Sequence, residues 1–328
     1  MIRDALYWEK EKNRIRCRLC PHHCLIADNK RGICSVRLNK EGRLKTENYG
    51  EITAMSVDPI EKKPLYHFKP GKRIFSVGSF GCNFSCEFCQ NYSIAQHRGK
   101  SEFLPPAQLA ASSAAPYNNI GIAFTYNEPA IWFEYIYDTA RVLKETYPRL
   151  CIVLVTNGYV EDAPLEMLLP YVDAMNVDLK SMQQQYYRRI CGGDLQPVLR
   201  TIEMSYRRCH LEITTLLVNG LNDSEVETEK IAAYISGLDK NIPLHLSRYF
   251  PSNRMTRPAT DIGTMKRAAE KAGKHLNYVY LGNLSNYDNS TYCHECGELL
   301  IQRTGYTSKL FIEKPFCPKC NTPVPIFL

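Results

Sequence analysis

From residue 73 to about residue 281 the chain alternates short β-branched and aromatic runs with helical stretches, and this alternation narrows its possible folds most. Segments 73–80, 120–126, 151–156, 174–179, 211–218, 244–249 and 277–281 read as strands. Helical patterns at 106–115, 130–146, 163–169, 182–190, 197–208, 224–236 and 264–272 fall between most of them. Repeated βα units predict an α/β fold with a parallel sheet and crossover helices. At 328 residues and 44% hydrophobic, the chain is long enough for one such domain with small appendages.

Cysteines mark both appendages. Of fourteen, four sit at Cys17, Cys20, Cys24 and Cys34, three at Cys82, Cys86 and Cys89, and four at Cys293, Cys296, Cys317 and Cys320. Residues 1–72 are polar, glycine-punctuated and without a long periodic segment, which predicts a small metal-stapled module. Residues 73–289 carry the βα core, and residues 290–328 form a third unit around a strand-like GELLIQRTGYTSKLFIE. In that unit CHEC and CPKC are two knuckles twenty residues apart, the pattern of a zinc ribbon, with rubredoxin-like iron as the alternative. The amino-terminal spacing permits zinc, with His22 or His23 nearby, or an auxiliary [4Fe-4S] cluster. Cys151, Cys191 and Cys209 have no thiol neighbours in sequence and read as core.

The middle set carries the chemistry. Reactive residues of parallel α/β folds gather at the carboxyl ends of strands, and the first strand runs directly into GCNFSCEFC. Cys82, Cys86 and Cys89 offer three ligands, whereas structural zinc closes with four, so one corner stays open for a reactant. A structural zinc completed by His97 is the plain alternative. Other strand ends present Asn127 and Glu128, then Asn157, then Asp178 and Lys180, then Arg248. Each has a bland rival: Glu128 caps a helix, Asp178 and Lys180 form an ion pair, Asn157 makes a turn with Gly158, and Phe88 is packing. Together they suit a zwitterionic ligand carrying a polar sugar.

A CxxxCxxC loop after the first strand of a βα repeat, with Phe88 before the last cysteine, resembles the radical S-adenosylmethionine (SAM) superfamily. That resemblance implies an incomplete (β/α)6-type barrel and a [4Fe-4S] cluster on Cys82, Cys86 and Cys89. It also implies that the methionine amino and carboxylate groups of SAM chelate the fourth iron. One electron then cleaves the sulfonium to methionine and a 5′-deoxyadenosyl radical, which abstracts hydrogen from a substrate. The superfamily's GGE motif falls on Tyr126, Asn127 and Glu128, so both glycines are replaced and the acid is kept. CRLCPHHC, DPIEKKPLYHFKPG, GCNFSCEFCQNYSIAQ, TYNEP, TNGY and NVDLK further resemble the radical enzyme of the AmmeMemoRadiSam system, itself similar to pyruvate formate-lyase activating enzymes. The GGE match implicates Glu128 in SAM binding, with Asn127 beside it at the strand end and Phe88 as packing for adenine. The closer likeness, through TNGY and NVDLK, implicates Asn157, Asp178 and Lys180, with Arg248 and His245 as further candidates. It also implies an electron donor such as flavodoxin or ferredoxin, and Memo-type and AMMECR-type partners.

The expected activity is therefore that of a radical SAM enzyme of oxidoreductase or lyase type. A glycyl-radical activase is the first alternative, although no ferredoxin-like insert follows the cysteine loop. A non-enzymatic metal scaffold is the second. The net charge of +7 comes with no long basic run, so no nucleic-acid partner is expected. No apolar stretch approaches the ~18 residues of a membrane span, no apolar signal core opens the chain, and metal-type cysteine spacings fit a reducing, cytoplasmic setting.

Overall fold

The computed structural model describes residues 2–285 and 287–328. The alternation folds into an eight-stranded sheet. Its strands are β1 (Ala54–Pro59), β2 (Arg73–Gly78), β3 (Asn119–Phe124), β4 (Cys151–Thr156), β5 (Ala174–Asp178), β6 (His210–Leu217), β7 (Leu244–Arg248) and β8 (Val279–Gly282), lying side by side in that order. β2 to β8 are parallel, and β1 pairs antiparallel with β2. Among the described residues no ladder joins β1 to β8, so the sheet stays open.

Among the described residues, six α-helices of seven residues or more alternate with the strands: α1 (Pro106–Ala114), α2 (Phe133–Thr146), α3 (Asp162–Leu168), α4 (Leu195–Ser205), α5 (Glu225–Leu238) and α6 (Ile262–Ala272). In β4, Ile152, Val153 and Leu154 are buried consecutively, as in a strand covered on both faces. α2 buries Ile136, Ala140 and Leu143, one helical face. Ser224 and Asp261 cap α5 and α6 by accepting from the backbone N–H three residues on.

One segment departs from the sequence reading, and one keeps it with a different winding. β1 lies within the stretch expected to belong to the amino-terminal module, yet it joins the main sheet. The segment expected to be helical over 182–190 is helical from Gln184 to Cys191, but after Gln184–Tyr186 it winds as a wide π-helical turn, Tyr187–Cys191, that ends on Gly192 at φ +83°. The wide turn leaves the Ile190 and Cys191 carbonyls free to bind another segment.

The flanking units are small antiparallel sheets. The amino-terminal one is anchored by Arg37, whose two terminal nitrogens donate to Glu134 of α2, both at 2.8 Å and both partners buried. The carboxy-terminal hairpin, Leu299–Thr304 with Thr307–Leu310, reaches the amino half of β8, where Arg303 lies 5.6 Å over the Tyr280 ring. There buried Arg303 donates to the Tyr66 carbonyl at 2.6 Å. This end lies opposite the cysteine loop that follows β2.

Candidate active site

β2 is buried from Ile74 to Gly78 and delivers the chain to Gly81, which holds φ +90°. A side chain at Gly81 would lie 2.6 Å from Val36 Cγ1 and 2.7 Å from the Cys34 carbonyl, so only glycine passes this crossing. The cysteine loop is then held through its backbone. Ser85 and Glu87 N–H groups donate to the Cys191 and Ile190 carbonyls at 2.8 and 3.1 Å. The Cys86 and Cys89 carbonyls accept from Asn253 Nδ2 at 3.2 Å and Ser252 Oγ at 3.1 Å. The wide turn is thus a functional element that a lone cysteine and a Gly-Gly pair did not announce.

Cys82, Cys86 and Cys89 all line one cavity of about 270 Å³ at the carboxyl ends of the strands. Phe88, Asn127, Glu128, Asn157, Asp178 and Lys180 line it too, so the structure gathers these expected residues. Arg248 is not brought in: its Nε donates to the Thr260 carbonyl at 2.7 Å and its guanidinium lies 4.9 Å over Phe250. Side chains alternate along a strand, so Ser247 lines the cavity in its place. His245 is also elsewhere, 2.6 Å from Glu212 at the opposite end of the sheet. Sequence reasoning missed Thr214, Ser247 and Asn283 on the wall, where single small polar residues carry no spacing signature.

Several gathered groups brace the site. Asn127 accepts from Ser79 N–H at 2.9 Å and donates to the Gly81 carbonyl at 3.1 Å, closing the end of β2. Asn157 Nδ2 donates to Asn83 Oδ1 at 2.9 Å and stands 3.8 Å from Cys82 Sγ. Glu128 accepts from Ala130 N–H, Thr156 Oγ1 and Asn157 N–H at 2.8, 2.6 and 2.8 Å. It therefore caps the turn after β3 while facing the cavity. Burial pushes its carboxyl up to about 7, against the pull of those three donors. Tyr126 keeps the positive φ, +72°, that glycine takes most easily. Its hydroxyl donates to Asp58 at 2.7 Å, and Lys63 lies 4.8 Å over its ring.

Lys180 Nζ is 2.9 Å from Asp178 and 5.8 Å from the centre of the Phe88 ring. Burial opposes its charge, but Asp178, Cys86 and Cys191 hold it well above the usual lysine value. His97 is exposed and lies outside the cavity wall, and the thiols of Cys82, Cys86 and Cys89 are not among groups whose ligand atoms all lie within 4.8 Å. Cys293, Cys296, Cys317 and Cys320 do form such a group, with Sγ pairs at 3.6 and 3.6 Å.

Comparison with known proteins agrees with this geometry. The family model described as Radical SAM superfamily matches residues 76–230. An uncharacterized protein of Methanocaldococcus jannaschii is 36% identical over 345 residues, covering 100% of each chain. A probable GTP 3′,8-cyclase of Thermococcus kodakarensis is 26% identical over 156 residues, covering 44% of this chain and 47% of that one. In fold, the chain resembles Streptococcus suis SuiB bound to S-adenosylmethionine, at a TM-score of 0.50 and 12% identity over 72% of this chain and 56% of that one. The chain belongs to the radical SAM superfamily.

Proposed function

We propose that this chain, in a partial barrel of the radical SAM kind, cleaves SAM reductively at a [4Fe-4S] cluster on Cys82, Cys86 and Cys89. The cleavage starts hydrogen abstraction from a substrate that enters the same cavity. One observation carries the reading: three cysteines with an open side share a single cavity with a buried carboxylate and a lysine–aspartate pair. When bound, the cluster supplies the electron that breaks the sulfonium bond, leaving methionine and, after hydrogen abstraction, 5′-deoxyadenosine.

The chain's own groups bind and orient. Glu128 has three protein donors around two oxygens and room for a further bond, and an ammonium group would favour its charged form. Asp178 and Lys180 offer an acceptor and a cation to the polar parts of SAM, and Phe88 offers a flat apolar face to adenine. Asn127 and Asn157 keep the loop in place. Zinc is the reading for the carboxy-terminal cysteines, on its redox inertness and commonness, with rubredoxin-like iron as the alternative; their spacing suits tetrahedral binding of either ion. A flavodoxin- or ferredoxin-type donor, and partners of Memo and AMMECR type, follow from the motif likeness.

The test is anaerobic reconstitution with iron and sulfide, followed by SAM, dithionite and chromatography. Unmodified protein is expected to form 5′-deoxyadenosine and Cys86→Ala none. Equal yields from both, or none from either, overturn the reading.

A further inference from the structure

The amino-terminal cysteines converge as well, but not as the carboxy-terminal ones do. Cys17, Cys20, Cys24 and Cys34 line one pocket with Leu19 and Arg37. They do not meet the 4.8 Å spacing that Cys293, Cys296, Cys317 and Cys320 meet. Tetrahedral zinc, with Zn–S bonds of about 2.3 Å, would hold its thiols about 3.8 Å apart, closer together than this set stands. The wider spacing is shared with Cys82, Cys86 and Cys89, which also stand outside any such group.

Arg37 gives an independent observation. It is 1% exposed, and its terminal nitrogens serve Glu134, but its Nε has no hydrogen-bond partner. A buried, unpartnered cationic N–H on the wall of a thiol pocket suits an anionic guest. The Ile33 N–H, 3.5 Å from Cys24 Sγ, adds a donor of the kind that stabilises thiolate-bound metal centres.

The pocket also abuts the first cysteine loop. Its wall residue Ile131 packs with Cys34, Val36 and Phe80, and the Cys34 carbonyl meets the backbone at Gly81. His22 Nε2 is 2.7 Å from the Asn83 carbonyl, one residue after Cys82.

We propose that Cys17, Cys20, Cys24 and Cys34 hold a second [4Fe-4S] cluster, packed directly behind the loop that carries the first. This inference rests on the radical SAM reading only for the identity of its neighbour. The test counts zinc and acid-labile sulfide, which neither zinc nor a lone thiolate-bound iron carries, in anaerobically reconstituted full-length protein. About eight sulfides per chain are expected in the unmodified protein, and about four in each of Cys82→Ser/Cys86→Ser and Cys20→Ser/Cys34→Ser. The Cys82→Ser/Cys86→Ser protein should keep a paramagnetic signal on reduction with dithionite, unchanged by SAM. About four sulfides in the unmodified protein, all lost in Cys82→Ser/Cys86→Ser, overturn the proposal. Where the Cys82→Ser/Cys86→Ser protein folds poorly, about four sulfides in the unmodified protein that persist in Cys20→Ser/Cys34→Ser overturn it equally. Failure of the radical reading looks different, because about eight sulfides would remain while no 5′-deoxyadenosine forms.

Discussion

At the scale of single residues, Gly81 and Glu128 each join a structural demand to the site. Gly81 combines φ +90° with a crossing so close that a methyl group would lie 2.7 Å from the Cys34 carbonyl. Gly81→Ala should therefore cost about 1–3 kcal/mol of stability in urea unfolding and lower iron content after reconstitution. An unchanged urea midpoint would show that the crossing relaxes. Glu128 is asked to do two things, since its oxygens accept from three donors and also face the cavity. In Glu128→Gln one oxygen becomes an NH2 group, which cannot accept from the donors that remain on that side. A loss of about 1–3 kcal/mol is expected for the unpaired donor, together with a fall in SAM affinity of about tenfold or more. If equilibrium dialysis finds the affinity unchanged while stability falls, Glu128 is an anchor of the turn alone.

At the scale of elements, strands were legible wherever β-branched runs are covered on both faces, as in β4 and β6. β1 was not, because AMSVDP has one β-branched residue and exposes Met55 and Ser56; its pairing comes from β2, not from its own composition. Helical periodicity found the segment that ends in the wide turn Tyr187–Cys191, but not its winding, since the carbonyls there are claimed by the cysteine loop. In the site, the cysteines and the acidic rim were legible from spacing after strands, whereas choosing Ser247 over Arg248 needed the strand's phase. The join between the amino-terminal unit and α2 is a tertiary fact of the same kind, resting on the buried Arg37–Glu134 pair. Arg37→Met should cost about 3–5 kcal/mol in urea unfolding, because it strands a buried carboxylate. Arg37→Met/Glu134→Leu should recover most of that loss. Recovery stays incomplete because the Leu6 N–H, 2.7 Å from Glu134 Oε1, loses its acceptor. A double variant no more stable than the single one would show that the charge is not the cause.

At the scale of the whole molecule, the two ends of the sheet divide the labour. The carboxyl ends carry the cavity, and the amino ends carry a buried network that ties the carboxy-terminal unit to the core. Glu212 accepts from Tyr66 and His67 N–H groups at 3.0 and 2.7 Å and pairs with His210 and His245 at 2.9 and 2.6 Å. His67 is 2.6 Å from the Tyr280 hydroxyl and 3.2 Å from the Pro325 carbonyl. Burial lowers the His67 imidazole to about 3, with Glu212 pulling the other way and Arg303 and His210 adding to the fall. Burial works against the Glu212 charge, but hydrogen bonds from His210 and His245 hold it well below the usual carboxylate range. Both shifts have the same consequence on acidification. An unfolded histidine takes up a proton near pH 6.5 while folded His67 does not, so its contribution is complete above that value and lost as pH falls towards about 3. Glu212 stays charged when its unfolded counterpart protonates, so its contribution is likewise lost as pH falls below about 4.5. The His67 part is at most about 1.4 kcal/mol per pH unit. Thermal midpoints should therefore fall from pH 7 to pH 5 in the unmodified protein, and His67→Gln should flatten that slope between about pH 4.5 and 6.5. Loss of metal in acid is common to both proteins and cancels in the difference, so parallel slopes would mean that His67 does not couple protonation to folding.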